Sequence, residues 1–260
     1  YAAKEMKLYG LTKIIPIKIW IYNSKSDFQG TFAPNSQEWA AGSALPAFQL
    51  VQEYIVNGDQ SEANRLIPHE LSHQLLHQAT ENPFGILPLW LDEGLAVNNE
   101  NSDHSRYDAL VADAKQKGQL VSIQALISEF PVDASQASLA YAESYSIVKF
   151  MRDKYGDAKL LDLIHAFKAE MTIDDALKTA YGFDQNGLQQ AWLASLKNSD
   201  RNLGLGAGHI DLAIGNLLSG GTLVLIVAVA ISGIFRLRKA RRQASGQEPV
   251  DGEWLTRGGW

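Results

Sequence analysis

Residues 69–73 read His69-Glu70-Leu71-Ser72-His73, and residues 90–96 read Trp90-Leu91-Asp92-Glu93-Gly94-Leu95-Ala96. On a helix, positions i and i+4 share a face, so His69 and His73 aim their imidazoles at one point. Two imidazoles so placed are half of a zinc site, because Zn²⁺ favours four-coordinate ligation by N, O or S. Glu70 is turned by roughly 100° from His69 and lies beside the metal, where it can take a proton from water held there. Glu93 follows His73 by 20 residues, beyond a loop, in what reads as a second helix. It is the natural third protein ligand, and the fourth position stays open for water. Taken alone, the first motif has a bland alternative, a surface helix with two ordinary histidines. The second motif argues against that.

Together the two motifs resemble a gluzincin metallopeptidase, in the branch whose third ligand sits in a Trp-Leu-x-Glu-Gly-x-Ala segment. The nearest likeness is the family called peptidase MA-like, over about residues 5–200. Here 19 residues separate His73 from Glu93, one more than is usual in the related aminopeptidase branch, a loop difference that leaves the ligand assignment intact. The resemblance implies an α+β, zincin-like fold. It implies one Zn²⁺ on His69, His73 and Glu93, Glu70 as general base, and a peptide or protein substrate. Tyr141-Ala142-Glu143-Ser144-Tyr145 resembles the segment in which aminopeptidase-like gluzincins carry a catalytic tyrosine. Tyr141 is therefore a candidate donor to the developing oxyanion, with a packing tyrosine as the alternative and Tyr145 as the rival. The Gly-x-Met-Glu-Asn motif with which those aminopeptidases hold a free amine is absent, and Ser36-Gln37-Glu38-Trp39-Ala40 is no substitute. That points to an endopeptidase.

His77 lies at i+8 from His69, on the same face. Three in-line histidines on one straight helix span about 12 Å along its axis and do not surround a tetrahedral ion. His77 is expected behind the ligands or partly exposed. Pro68 belongs in a helix's first turn, where the missing N–H costs least, so the helix is expected to begin near Asn64 or Arg65 and to run to about Ala79.

Upstream, residues 2–10 fit a short amphipathic helix with Met6, Leu8 and Leu11 inward. Ile14–Tyr22 alternates as a strand, with Ile15, Ile17, Ile19 and Ile21 on one side. Residues 30–43 read as a loop with a short strand around Trp39. Ala47–Val56 fits another strand; it resembles the zincin edge strand that pairs with an extended substrate, with a plain core strand as the alternative. Downstream, helices are expected over 104–117, 123–130, 140–155, 158–169, 172–181 and 185–198. The outline is a sheet subdomain over 1–60, then an active-site helix and helical lobe over 61–200, with a cleft between.

Of 260 residues, 46% are hydrophobic, none is Cys, and the net charge is −6. Residues 236–260 carry six basic and three acidic side chains, net +3, which leaves −9 on the rest. An acidic body argues against nucleic acid as a partner. Without Cys there is no disulfide and no thiolate ligand. The chain starts at Tyr1 without an initiator Met, and an N-terminal portion is expected to precede it.

After a linker over 201–211, residues 212–235 are 24 consecutive uncharged residues, long enough to cross a hydrocarbon core of about 30 Å. Arg236, Arg238, Lys239, Arg241 and Arg242 follow at once. Basic excess stays in the cytoplasm, so a single-pass anchor is expected in the lipid bilayer, with the catalytic domain extracytoplasmic and a disordered cytoplasmic tail over 236–260. His69 and His73 lie outside this apolar span, which excludes an intramembrane protease. Two other functions remain: a membrane-anchored binding or sensor protein with an idle zincin fold, which the intact Glu70 argues against, and a zinc hydrolase of a non-peptide bond.

Overall fold

Asp59 starts the helix that carries the first motif. Its Oδ1 accepts from the backbone N–H of Ser61 at 2.7 Å and of Glu62 at 3.4 Å, an N-cap that satisfies two orphan donors. The helix therefore runs Gln60–Ala79, about a turn longer at its start than the Pro68 rule predicts. Pro68 lies in its interior. The lost bond is the one Pro68 would have donated to the Asn64 carbonyl, and the Asn101 N–H supplies it from outside at 3.3 Å. A defect in one helix thus becomes a joint to the segment that follows another.

The structure is a computed structural model and describes residues 1–31, 41–81, 87–131 and 133–202. All described residues belong to one compact unit. In chain order the elements are α1 (Ala2–Leu8), β1 (Lys18–Tyr22), α2 (Lys25–Gln29), β2 (Gly42–Leu45), β3 (Leu50–Tyr54), α3 (Gln60–Ala79), α4 (Leu89–Asn99), α5 (Ser105–Lys117), α6 (Ala134–Tyr155), α7 (Asp157–Lys168), α8 (Ile173–Tyr181) and α9 (Gln185–Asn202). This is α+β: a small mixed sheet and many helices. The short strand expected around Trp39 and the 212–235 apolar span fall outside the described residues. Within the described residues, no helix is long and apolar enough to cross a membrane.

The sheet is ordered β1-β3-β2, with β1 parallel and β2 antiparallel to β3. Two expectations change here. The strand expected over Ile14–Tyr22 pairs only from Lys18, where its N–H reaches the Gln49 carbonyl at 2.8 Å. Just before it, the Gln78 side chain occupies the backbone of Ile15, accepting from its N–H at 2.8 Å and donating to its carbonyl at 3.0 Å. The strand expected over Ala47–Val56 shortens to β3, because a 3₁₀ turn at Pro46–Phe48 and a left-handed Gln49 (φ 51°) come first. It is also the central strand, not an edge. The edge beside α3 is β2, a stretch whose Gly42, Ser43 and Ala44 give no alternation to read.

Helices α3, α4, α6, α7, α8 and α9 share one core, centred on Leu76, Trp90, Leu95, Val148, Leu163, Leu177 and Trp192. Each such fully buried side chain contributes roughly 1.5–3 kcal/mol through burial. Leu8 and Tyr9 join this core rather than the sheet, because α1 packs on α3. The tightest joint is between α4 and α6. A Cβ on Gly94 would meet the Ser144 carbonyl and lie 2.6 Å from Val148 Cγ2, so only glycine lets these helices approach. Asn98 then ties them, donating to the carbonyls of Gly94 (2.7 Å) and Tyr145 (3.0 Å). Helix α6 starts six residues before the expected Ala140. Asp133 caps it through the N–H groups of Ser135 and Gln136, and its first turns carry no apolar stripe.

Candidate metal centre

Helix α3 turns His69, Glu70 and His73 inward, and all three are buried. Helix α4 brings Glu93 in its second turn, also buried. His69 Nε2 lies 3.7 Å from Glu93 Oε2, and one ligand atom from each of His69, His73 and Glu93 lies within 4.8 Å of the others. Three of the four predicted ligand-and-base residues therefore meet as one potential ligand set, with Glu70 beside His69 on the same helix.

Both rings are fixed by carboxylates behind them. Glu100 Oε1 takes His69 Nδ1 at 2.8 Å, and Asp92 Oδ1 takes His73 Nδ1 at 2.5 Å. With Nδ1 donating to its carboxylate, each ring turns its Nε2 forward. Burial pulls the pKa of His69 down to about 4, with the Glu100 hydrogen bond opposing, so the ring is neutral near pH 7. Asp92 Oδ2 also meets His77 Nε2 at 3.1 Å. His77 thus sits behind the His69 and His73 rings and is partly exposed, as expected from the in-line argument. Burial alone would raise Asp92, but His73 and His77 outweigh it and hold the carboxyl well below the usual range. Ser102 Oγ donates to Glu100 Oε2 at 2.9 Å.

The forward atoms are left unpaired. His69 Nε2, His73 Nε2 and Glu93 Oε2 are buried polar atoms without a hydrogen-bond partner, as are both carboxyl oxygens of Glu70. Buried orphans are costly, and two imidazoles and a carboxylate are a donor set suited to Zn²⁺. The residues therefore fit a divalent metal. Burial, then the neighbouring Asp92 and Glu70, raises the pKa of Glu93. A cation would remove that penalty.

Tyr141 lies inside α6, and its O–H reaches Glu93 Oε1 at 3.4 Å. Tyr145, the rival, instead stacks on His104 with ring centroids 4.9 Å apart.

Glu70 is held against the sheet. A Cβ on Gly42 would collide with its carboxyl, whose Cδ lies 3.0 Å from that position. Gly42 pairs with Glu53 across β2 and β3, so Glu53 shares that face. Glu53 is buried with neither carboxyl oxygen bonded. Burial pushes its pKa up to about 8, against the pull of Arg65. Burial and then the Glu53 charge raise Glu70 well above the ordinary carboxylate value.

Asp92, Glu100 and Gly42 were missed by the motif reading. Asp92 stands in the quoted segment, one residue before Glu93. Glu100 is seven residues beyond Glu93, two turns on and on the same face. Ligating histidines need orienting carboxylates, and that requirement was the available signal.

A family model of the Peptidase MA superfamily matches residues 2–198, and the chain belongs to that superfamily. Membership supports a zincin-like fold and a peptidase-type enzyme, in a superfamily whose members are typically metal-dependent. No curated protein matches the chain.

Proposed function

We propose that this chain is a membrane-anchored zinc peptidase that cleaves peptide bonds within a chain. The single observation that carries the reading is the convergence of unpaired Nε2 atoms of His69 and His73 on the unpaired carboxylate oxygen of Glu93. These three would hold one Zn²⁺. A zinc ion there supplies Lewis acidity toward a carbonyl and toward water.

The remaining chemistry belongs to the protein. Glu70 takes a proton from the attacking water and delivers it to the leaving amine nitrogen. Gly42 leaves room for the Glu70 carboxyl, and Glu53 stands behind it. Tyr141 donates its O–H to the oxygen that gains charge as the carbonyl is attacked. Asp92 and Glu100 keep the two rings in the tautomer that faces the metal. The edge strand β2 runs beside Glu70, and an extended substrate adds to it through main-chain hydrogen bonds, with little demand on its sequence. The endopeptidase reading rests on the absent amine-binding motif. Anchorage and an extracytoplasmic catalytic domain rest on the uncharged 212–235 and the basic residues after it.

The test is digestion of a peptide library by the purified chain, with and without a chelator, beside Glu70→Gln. Internal cleavage lost to chelator, restored by zinc and absent from the metal-loaded Gln variant is expected. Full activity in Glu70→Gln refutes its role. Zinc without any cleavage leaves an idle binding protein, and activity on other bonds alone leaves a different hydrolase.

A further inference from the structure

Among the described residues, β1 is an edge strand with little to cover it. Lys18-Ile19-Trp20-Ile21-Tyr22 contains no Pro and a single charge, and Ile19, Trp20 and Ile21 are 40%, 51% and 59% exposed. Ile14 and Ile15, just before it, are 40% and 48% exposed. Natural edge strands are kept short, charged, bulged or covered, because a bare apolar edge templates another strand.

The backbone has a free side. Lys18 donates its N–H to Gln49 of the neighbouring chain segment, and the Tyr22 carbonyl accepts from Ile55. The polar backbone groups of residues 18, 20 and 22 therefore face β3, and by alternation those of Ile19 and Ile21 face outward. Within the described residues, no strand takes them.

We propose that β1 is a homodimer interface, pairing antiparallel with β1 of a second copy about a two-fold axis at Trp20. An isologous contact must be self-complementary, and this sequence is. Centred on Trp20, the register sets Ile19 against the second copy's Ile21, Trp20 against Trp20, and Lys18 against Tyr22. The outward N–H and C=O groups of Ile19 and Ile21 meet as hydrogen-bonded pairs, and apolar side chains pair on both faces. Ile14, Ile15, Ile19, Trp20 and Ile21 together expose roughly 1,000 Å² over two copies, an upper limit on what these side chains bury and below the low end, about 1,200 Å², of specific interfaces, so main-chain pairing of the strands supplies the rest. The joined sheet is ordered β2-β3-β1-β1-β3-β2, and among the described residues no strand pairs with the outer edge of either β2, beside each Glu70. The proposal stands independently of the metal and of the reaction.

The chain has no cysteine, so single-cysteine variants of the full chain, in detergent micelles, test the register directly. Opposed residues at the Trp20 position have Cα atoms about 4.5 Å apart, within disulfide reach. Trp20→Cys is expected to oxidise to a covalent dimer. Ile19→Cys alone is expected to link slowly, and a mixture of Ile19→Cys with Ile21→Cys rapidly. Ile19→Lys combined with Ile21→Lys, which opposes like charges across the axis, should weaken self-association of the unlinked chain at least tenfold by sedimentation. A chain that stays monomeric at every concentration overturns the proposal. So does linkage that ignores register, or a Trp20→Cys thiol shielded from reagent in a monomer, which means that another strand covers the edge.

Discussion

Gly42 lies against the carboxyl group of Glu70: the side chain that glycine lacks would stand 3.0 Å from Cδ and 3.2 Å from Cγ of that glutamate. Gly42→Ala should therefore shift Glu70 while leaving His69, His73 and Glu93 in place. A misplacement of about 1 Å at a reacting group costs on the order of 100-fold. A drop in kcat of that order with unchanged metal content is expected. Unaltered kcat would show that Glu70 does not need its present position.

Asp92 holds His73 and His77 at once. Asp92→Asn removes the charge that fixes the His73 tautomer, while the amide still fills the space. Zinc affinity should fall about 10–100-fold, the usual effect of losing an orienting partner, as read by competition with a chelator of known affinity.

Glu53 makes stability depend on pH. Its carboxyl is raised from an ordinary 4.5 to about 8 in the fold. Between those values the folded chain keeps a proton that the unfolded chain releases, so stability falls as pH rises through that window and levels off above it. Glu53→Gln is neutral throughout. Its melting temperature should gain on the unaltered chain steadily from about pH 5 to about pH 8. A gap that does not change with pH contradicts the assignment.

Gly94→Ala drives a methyl group into the Ser144 carbonyl and Val148. Overpacking of this kind costs about 1–3 kcal/mol. Chemical denaturation should show a loss in that range, and because Glu93 is the adjacent residue, metal retention should fall with it.

The site was legible where chemistry imposes spacing. His69 and His73 sit one helical turn apart, and Glu93 follows in a segment of recognisable composition, so the three could be paired before any fold was known. The long helical faces, such as Leu160, Leu163, Ile164 and Phe167, were equally plain, because each apolar stripe recurs at helical spacing. What escaped was set by tertiary contacts. The start of α3 depends on Asp59, and its passage through Pro68 depends on Asn101, which is 37 residues from the Asn64 carbonyl it satisfies. Glu100 and Asp92 carry no motif of their own and gain meaning only from the rings in front of them. β2 is too small and too poor in β-branched residues to read as a strand, yet it forms the edge against which Glu70 rests.

The most direct measurement is anomalous diffraction on either side of the zinc absorption edge, from crystals of the chain purified with zinc. A single peak bounded by His69 Nε2, His73 Nε2 and the Glu93 carboxylate is the predicted result. No peak there, or a peak elsewhere with Glu93 turned away from the two rings, would contradict the account at its centre.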